Sequence, residues 1–262
     1  MLDFSVRWFS KSHNWIDKLI YICIPAHNEE QTIGLLLWKV RSLMSEFSRD
    51  YEILVFDDNS TDRTAAVLEK YRSILPLRVL RKDEAVGKSV ALELLLREAV
   101  ASTKYPKRDS AITLQADFSE SPEAIVALVR ALEGGSDIVV GNPSTPNVKP
   151  LFLSKASRFL AKILLGKAYN EAPVSDPFSG LRAYRLIVLK KAFNASKKRP
   201  LVNSKGWLAN LEVLGALVPY ARKISEMSVE PSYRSMSRPI EFSPIGTFRG
   251  ILRVRQEIVW EN

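Results

Sequence analysis

The sequence predicts an α/β fold in which a mainly parallel central sheet is flanked by helices on both faces. Short apolar runs alternate with segments whose apolar residues recur at helical spacing, which is the pattern of strand and crossover helix. Polar clusters follow several of those runs, where chain reversals belong. The chain has 262 residues, 46% of them hydrophobic, enough to bury one large core.

Residues 19–25 form an apolar run that closes on Pro25. Over 29–47, Ile33, Leu36, Leu37, Val40, Leu43 and Met44 then mark one face of a helix. Glu52 to Phe56 read as a buried strand, Asp57 to Asp62 as a polar loop and Thr64 to Tyr71 as a helix. A strand over Leu77–Leu80, a helix from Lys88 to Val100 and a strand over Ala111–Leu114 continue the alternation, and Asp137–Val140 reads as another strand before Gly141-Asn142-Pro143. Beyond it the pattern loosens: 151–168 read as a basic amphipathic helix, 176–194 as a loop leading to a short strand and helix, and 206–218 as a helix. The whole reads as a single Rossmann-like domain over 19–235. An amphipathic segment, 1–18, precedes it, and a loop with a basic amphipathic helix, 236–262, follows.

The formal net charge of +9 favours anionic partners such as nucleotides or phospholipid headgroups. Nucleic acid is not expected, because there is no nucleic-acid motif and the aromatics form no stacking pattern. Cys23 is the single cysteine and lies in an apolar strand, so no disulfide framework exists and a reducing compartment is expected. No run reaches the ~20 apolar residues of a bilayer span, and the opening lacks the apolar core of a signal peptide. The expectation is a cytoplasmic protein, peripheral on the cytoplasmic membrane face. Phe4, Trp8, Phe9, Trp15 and Ile16 interleave with Arg7, Lys11 and Lys18, and Phe248, Ile251, Leu252, Val254, Ile258 and Trp260 with Arg249, Arg253 and Arg255. Each set suits a membrane interface, and equally a helix packed on the domain.

In open α/β sheets ligands gather beyond the carboxyl ends of the strands. The polar clusters fall there: His27-Asn28-Glu29-Glu30, Asp57 to Asp62, and Gln115-Ala116-Asp117. Clustered carboxylates repel unless a cation or donor groups offset them, and a divalent metal on a diphosphate is the natural complement.

These segments resemble, in order, the nucleotide-binding and metal motifs of the family 2 glycosyltransferases: Ile24 to Glu30, Val55 to Thr64, Gly87-Lys88-Ser89, Gln115 to Glu123, and an acceptor segment from Asp176 to Arg185. The match spans about 20–235 and leans towards dolichyl-phosphate mannosyltransferases and bacterial polyprenyl-phosphate sugar transferases. It implies a GT-A type nucleotide-sugar-binding domain. The implied reaction is inverting transfer from a GDP-mannose or UDP-glucose type donor to a polyprenyl or dolichyl phosphate, with Mg2+ or Mn2+ as cofactor. Two other readings remain open: transfer to a glycan or small-molecule hydroxyl, and a catalytically impaired nucleotide-sugar-binding protein.

On the resemblance, Pro25, His27 and Glu29 line the nucleotide pocket, Asp57 contacts base or ribose, Lys88 lies near the donor phosphates, and Gln115 and Ala116 belong to the donor site. Asp58 and Asp62 have helix capping as their alternative role. Asp117 is the expected metal carboxylate. Gln115 stands where the family usually has a further aspartate, and brings a neutral oxygen without charge, so an aspartate restored there should tighten metal binding. Ser119 is also altered at a position where some members place an oxygen ligand. A polyprenyl phosphate, with a second pKa near ~6, is largely dianionic and needs cationic positioning more than a base. The resemblance assigns that to Arg158, Arg182 and Arg185 with Ser179, and leaves Asp176 as base for a hydroxyl acceptor or as a residue orienting Arg182 or the sugar. Glu212 is what remains of a more acidic family segment, and Pro231–Pro244 resembles a loop that closes over the donor.

Overall fold

The computed structural model describes residues 18–143 and 174–230, apart from 198, 205 and 207. The expected end segments and the basic helix over 151–168 therefore lie outside the described residues, apart from Lys18. The elements run β1 (Ile20–Ala26), α1 (Ile33–Phe47), β2 (Tyr51–Asp57), α2 (Thr64–Arg72), β3 (Leu77–Arg81), α3 (Lys88–Ser102), β4 (Ser110–Thr113), α4 (Ala124–Glu133) and β5 (Ile138–Pro143). After residue 174 come β6 (Arg182–Arg185), α5 (Leu186–Ala195), α6 (Leu208–Leu217), a 3-10 turn (Val218–Tyr220) and β7 (Ile224–Val229).

One seven-stranded sheet, in the order β3-β2-β1-β4-β6-β5-β7, divides the core in two. Along β1, Ile20, Ile22 and Ile24 face the layer containing α1, α2 and α4, whereas Tyr21 and Cys23 face α3, α5 and α6. Burial on both faces is why this strand reads as an uninterrupted apolar run rather than an alternating one. β2 divides in the same way, Ile53 and Val55 to one side, Leu54 and Phe56 to the other. The mainly parallel sheet with helices on both faces is as the sequence predicts.

Registers of Ala26 with Asp57, Asp57 with Arg81 and Cys23 with Thr113 align the carboxyl ends of β1 to β4 on one edge. β6 is antiparallel to both of its neighbours. Its first residue, Arg182, pairs with Thr113 and Val140 at that edge, while Arg185 pairs with Ser110 at the opposite one.

Two features order the loops at the carboxyl edge. Gly87 holds φ +86 immediately before α3, a left-handed backbone that glycine adopts without strain. The buried carboxylate of Asp58 accepts the Val86 and Gly87 N–H groups at 2.6 and 2.9 Å, clipping the amino end of α3 to the end of β2. On the far side of α3, buried Glu93 accepts the Leu201 and Val202 N–H groups at 2.9 and 3.0 Å, pinning the loop that leads to α6.

Candidate functional site

At the corner made by β1, β2 and β3, Pro25 is buried and His27 is exposed beyond it. His27 Nδ1 lies 2.7 Å from the Asp58 carbonyl oxygen, which only accepts, so Nδ1 carries the proton; Nε2 faces the Asn28 amide at 3.3 Å. Asn28 and Asn59 both take left-handed backbones, φ 55 and 53. Asn28 Oδ1 accepts the Thr61 N–H at 2.8 Å and the Glu29 N–H donates to the Thr64 hydroxyl at the same distance, so the two loops brace each other, while Glu29 Oε2 receives the Thr32 hydroxyl within its own loop. Asp57 is buried, accepting Ser60 N–H on Oδ1 at 3.0 Å and Arg81 Nη1 on Oδ2 at 2.9 Å. Beside His27, the exposed group at this corner is therefore Arg81 rather than Asp57, and a strand read as ending at Leu80 passes over it. A cation on the last position of β3, the strand directly beside β2 and in register with Asp57, belongs to the same edge.

Asp62 is a cap. Its Oδ1 accepts the Thr64 N–H at 2.9 Å and the Thr64 hydroxyl at 2.5 Å, and its Oδ2 accepts the Glu30 N–H at 3.1 Å. Asp58 likewise spends its carboxylate on the backbone ahead of α3.

The second corner lies between α3 and the loop after β4. The Lys88 ammonium donates to Gln115 Oε1, Gln115 Nε2 donates to Glu120 Oε1 at 3.3 Å, and the Gln115 N–H donates to Glu120 Oε2 at 3.0 Å. Between them Ala116 is buried, and Phe118 takes φ 58 while the Ser119 N–H bonds Asp117 Oδ1 at 2.9 Å, a turn that folds the segment back on itself. Burial pushes the Glu120 carboxyl up to about 7, against the lowering effects of Lys88 and of the Gln115 hydrogen bonds. The sequence places Lys88, Gln115 and Asp117 at the donor site, and the structure brings Lys88 and Gln115 into contact. Glu120 as their partner is not read from the sequence.

The fit of a hard divalent cation here rests on oxygen donors of one short turn: the Asp117 carboxylate, Gln115 Oε1 and Ser119 Oγ, which is buried with no hydrogen-bond partner among the described residues. No group of three or more Asp, Glu, His or Cys side chains converges among those residues. The set fits a cation held by one carboxylate and neutral oxygens, the rest of its shell being left to a diphosphate and water.

The third corner corrects two expectations. Arg182 is fully buried, 0% exposed; Nη1 donates to the Asn210 carbonyl and Nη2 to the Pro177 carbonyl at 2.6 Å. A guanidinium so enclosed does not offer its fork to an acceptor phosphate. Arg185 sits at the opposite edge of the sheet, on Asp137 Oδ1 at 3.3 Å and on the Leu132, Ser136 and Lys107 carbonyls. It misses the site because a four-residue strand puts its ends on opposite edges. Arg158 lies outside the described residues. Asp176 is buried and accepts the Phe178 N–H at 3.1 Å, and the Ser179 hydroxyl donates to the Gly141 carbonyl at 2.5 Å. Glu212 is spent on the Asn203 and Ser204 N–H groups, at 2.9 and 3.0 Å.

The second and third corners meet at Gly180. Its carbonyl accepts the Thr113 hydroxyl at 2.6 Å, and a Cβ there would stand 2.8 Å from Glu120 Oε1 and 3.0 Å from Gln115 Nε2.

Comparison with known proteins gives relatives in sequence and in fold. Dolichol-phosphate mannosyltransferase of Pyrococcus furiosus is 29% identical over 178 residues, covering 65% of this chain and 47% of its own. Undecaprenyl-phosphate 4-deoxy-4-formamido-L-arabinose transferase of Pseudomonas fluorescens is 33% identical over 172 residues, covering 65% and 48%. The chain thus spans about half the length of these relatives. In fold it resembles glucosyl-3-phosphoglycerate synthase from Mycobacterium tuberculosis, solved with Mn2+, UDP and glucosyl-3-phosphoglycerate: TM-score 0.61 at 20% identity, over 92% of this chain and 80% of that one. The model of glycosyl transferase family 2 matches residues 21–193, well over half of the sequence. With that match, and with the family's motifs gathered on one sheet edge, the chain belongs to glycosyl transferase family 2.

Proposed function

We propose that this chain transfers a sugar, with inversion, from a nucleoside-diphosphate sugar of the GDP-mannose or UDP-glucose type to a polyprenyl or dolichyl phosphate. The observation that supports it most is the contact of Lys88, at the amino end of α3, with Gln115, two residues before Asp117, in a member of a family whose matched relatives are named for lipid-phosphate acceptors. The base and ribose lie over the Pro25, His27 and Asp57–Arg81 corner, with Arg81 rather than Asp57 as the exposed polar group. The diphosphate lies at the Lys88 ammonium and the first-turn N–H groups of α3, where a helix amino end favours negative charge.

Asp117, with Gln115 and Ser119, would hold a divalent cation, which supplies Lewis-acid stabilisation of charge on the departing diphosphate. The Mn2+ bound by the mycobacterial synthase is consistent with that. Lys88 supplies a fixed positive charge in the same direction. The acceptor's phosphate oxygen attacks the anomeric carbon as the bond to the diphosphate breaks, and the dianion needs no protein base. Arg182 and Arg185 being committed elsewhere, Arg158 keeps the acceptor assignment among the three arginines. A lipid acceptor places the chain against the cytoplasmic membrane face, with 1–18 and 236–262 as the contacting segments. Among the described residues no helix is long and apolar enough to cross a membrane.

A thermal-shift panel of nucleotide sugars, each with and without Mg2+ and Mn2+, tests the donor half of the proposal, since a ligand selective for the native state raises its melting temperature. A GDP- or UDP-sugar should raise it, and more so with metal. A panel in which no nucleotide sugar does so contradicts the reading.

A further inference from the structure

Gln115 lies between a group that can only donate and one that, ionised, can only accept. The Lys88 ammonium donates to its Oε1, and both Glu120 oxygens receive its N–H groups. Rotated by 180° about its last torsion, the carboxamide would set its NH2 against the ammonium and its oxygen against the carboxylate, losing both contacts. Its orientation is thus dictated from both ends. Gly180 lines the far side, where a Cβ would stand 2.8 Å from Glu120 Oε1 and 3.0 Å from Gln115 Nε2, so a side chain there would displace the pair.

We propose that Glu120 is a positioning residue for the donor site: it takes over, five residues on, the carboxylate that the resemblance expects at 115, and locks Gln115 so that its Oε1 holds the Lys88 ammonium towards the donor's diphosphate. The facing direction rests on the donor site proposed above; the lock itself does not. Gln115 and Glu120 then form a matched pair. An aspartate at 115 would put a second carboxylate beside Glu120, whose Oε2 already lies 3.0 Å from the 115 backbone nitrogen. The expectation that aspartate at 115 tightens metal binding by itself therefore changes: it holds only when Glu120 is neutralised.

A double-mutant cycle tests this with Gln115→Asp, Glu120→Gln and the two combined, read in two ways. Without ligand, Gln115→Asp should lower the melting temperature by about 3–6 °C, and adding Glu120→Gln should restore at least half of the loss. With UDP or GDP present, Mn2+ titration followed by electron paramagnetic resonance should show the double variant binding at least ~10-fold tighter than Gln115→Asp alone. If Gln115→Asp does not accumulate as folded protein, its recovery by Glu120→Gln is the same result. Additive effects on melting, or a double variant that stays unfolded, would overturn the lock. Equal Mn2+ tightening by Gln115→Asp with either residue at 120 would overturn it as well. Should UDP and GDP bind none of the folded proteins, the donor-site proposal fails, while the melting cycle still decides the role of Glu120.

Discussion

Arg182 donates from Nη2 to the Pro177 carbonyl at 2.6 Å, tying β6 back to the loop that leads into it, and its Nη1 ties the same strand to α6 through the Asn210 carbonyl. Arg182→Ala should therefore act on stability before it acts on the acceptor. The buried Pro177 carbonyl and the partly buried Asn210 carbonyl lose a charged donor, which costs about 2–4 kcal/mol. Arg182→Lys should recover little, because an ammonium cannot span two carbonyls as a planar fork does. Urea unfolding measures the loss; an unchanged midpoint alongside a raised acceptor KM would return Arg182 to the acceptor site.

Asp117 is the carboxylate of the proposed cation site. Asp117→Asn should cut sugar transfer by at least ~100-fold, the scale of losing a main electrostatic stabiliser, while the melting temperature stays near that of the parent protein. Near-normal turnover in the folded variant would remove Asp117 from the metal.

Asp58→Ala tests the clip between β2 and α3. Removing the acceptor of the Val86 and Gly87 N–H groups should cost about 1–3 kcal/mol and free the α3 amino end that carries Lys88. Calorimetry with UDP and GDP should show weakened binding in the variant. Undiminished affinity would mean that the α3 amino end does not serve the diphosphate.

The sheet's opposite edge offers a pH test. Burial acts to raise the pKa of Asp137, but hydrogen bonds and charge from Arg222, with the Arg185 charge, outweigh it and hold the carboxyl below its ordinary 3.8. A depressed folded value contributes stability above the unfolded value, and that contribution is lost as pH falls through the folded one. Asp137→Asn should thus destabilise at pH 7, and its melting temperature should converge on the parent's as pH drops below about 4. Because the Arg222 side chain is 84% exposed, salt should shrink part of the gap at pH 7. A gap that does not narrow at all as pH falls below about 4 would mean that Asp137 acts by shape rather than charge.

The parallel part of the fold was legible because its strands are buried on both faces and so leave unbroken apolar runs, as in Tyr21-Ile22-Cys23-Ile24. β6 was not placeable: Arg182-Ala183-Tyr184-Arg185 has a cation at each end, and nothing local shows that it inserts antiparallel between β4 and β5. For the same reason, two arginines three residues apart looked like one patch while lying on opposite edges. Burial of Arg182 escapes sequence because its partners are main-chain carbonyls. The link from Gln115 to Glu120 depends on a left-handed turn at Phe118, a residue whose type gives no sign of it.

The central claim is transfer to a lipid phosphate, and the most direct measurement supplies the purified chain with Mn2+, GDP- or UDP-sugars and a polyprenyl phosphate, following both products by mass spectrometry. The account predicts a glycosyl polyprenyl phosphate formed in step with released nucleoside diphosphate, and no such lipid with Asp117→Asn. A chain that binds the nucleotide sugar yet glycosylates only hydroxyl acceptors, or releases the sugar to water with the lipid phosphate untouched, would contradict it.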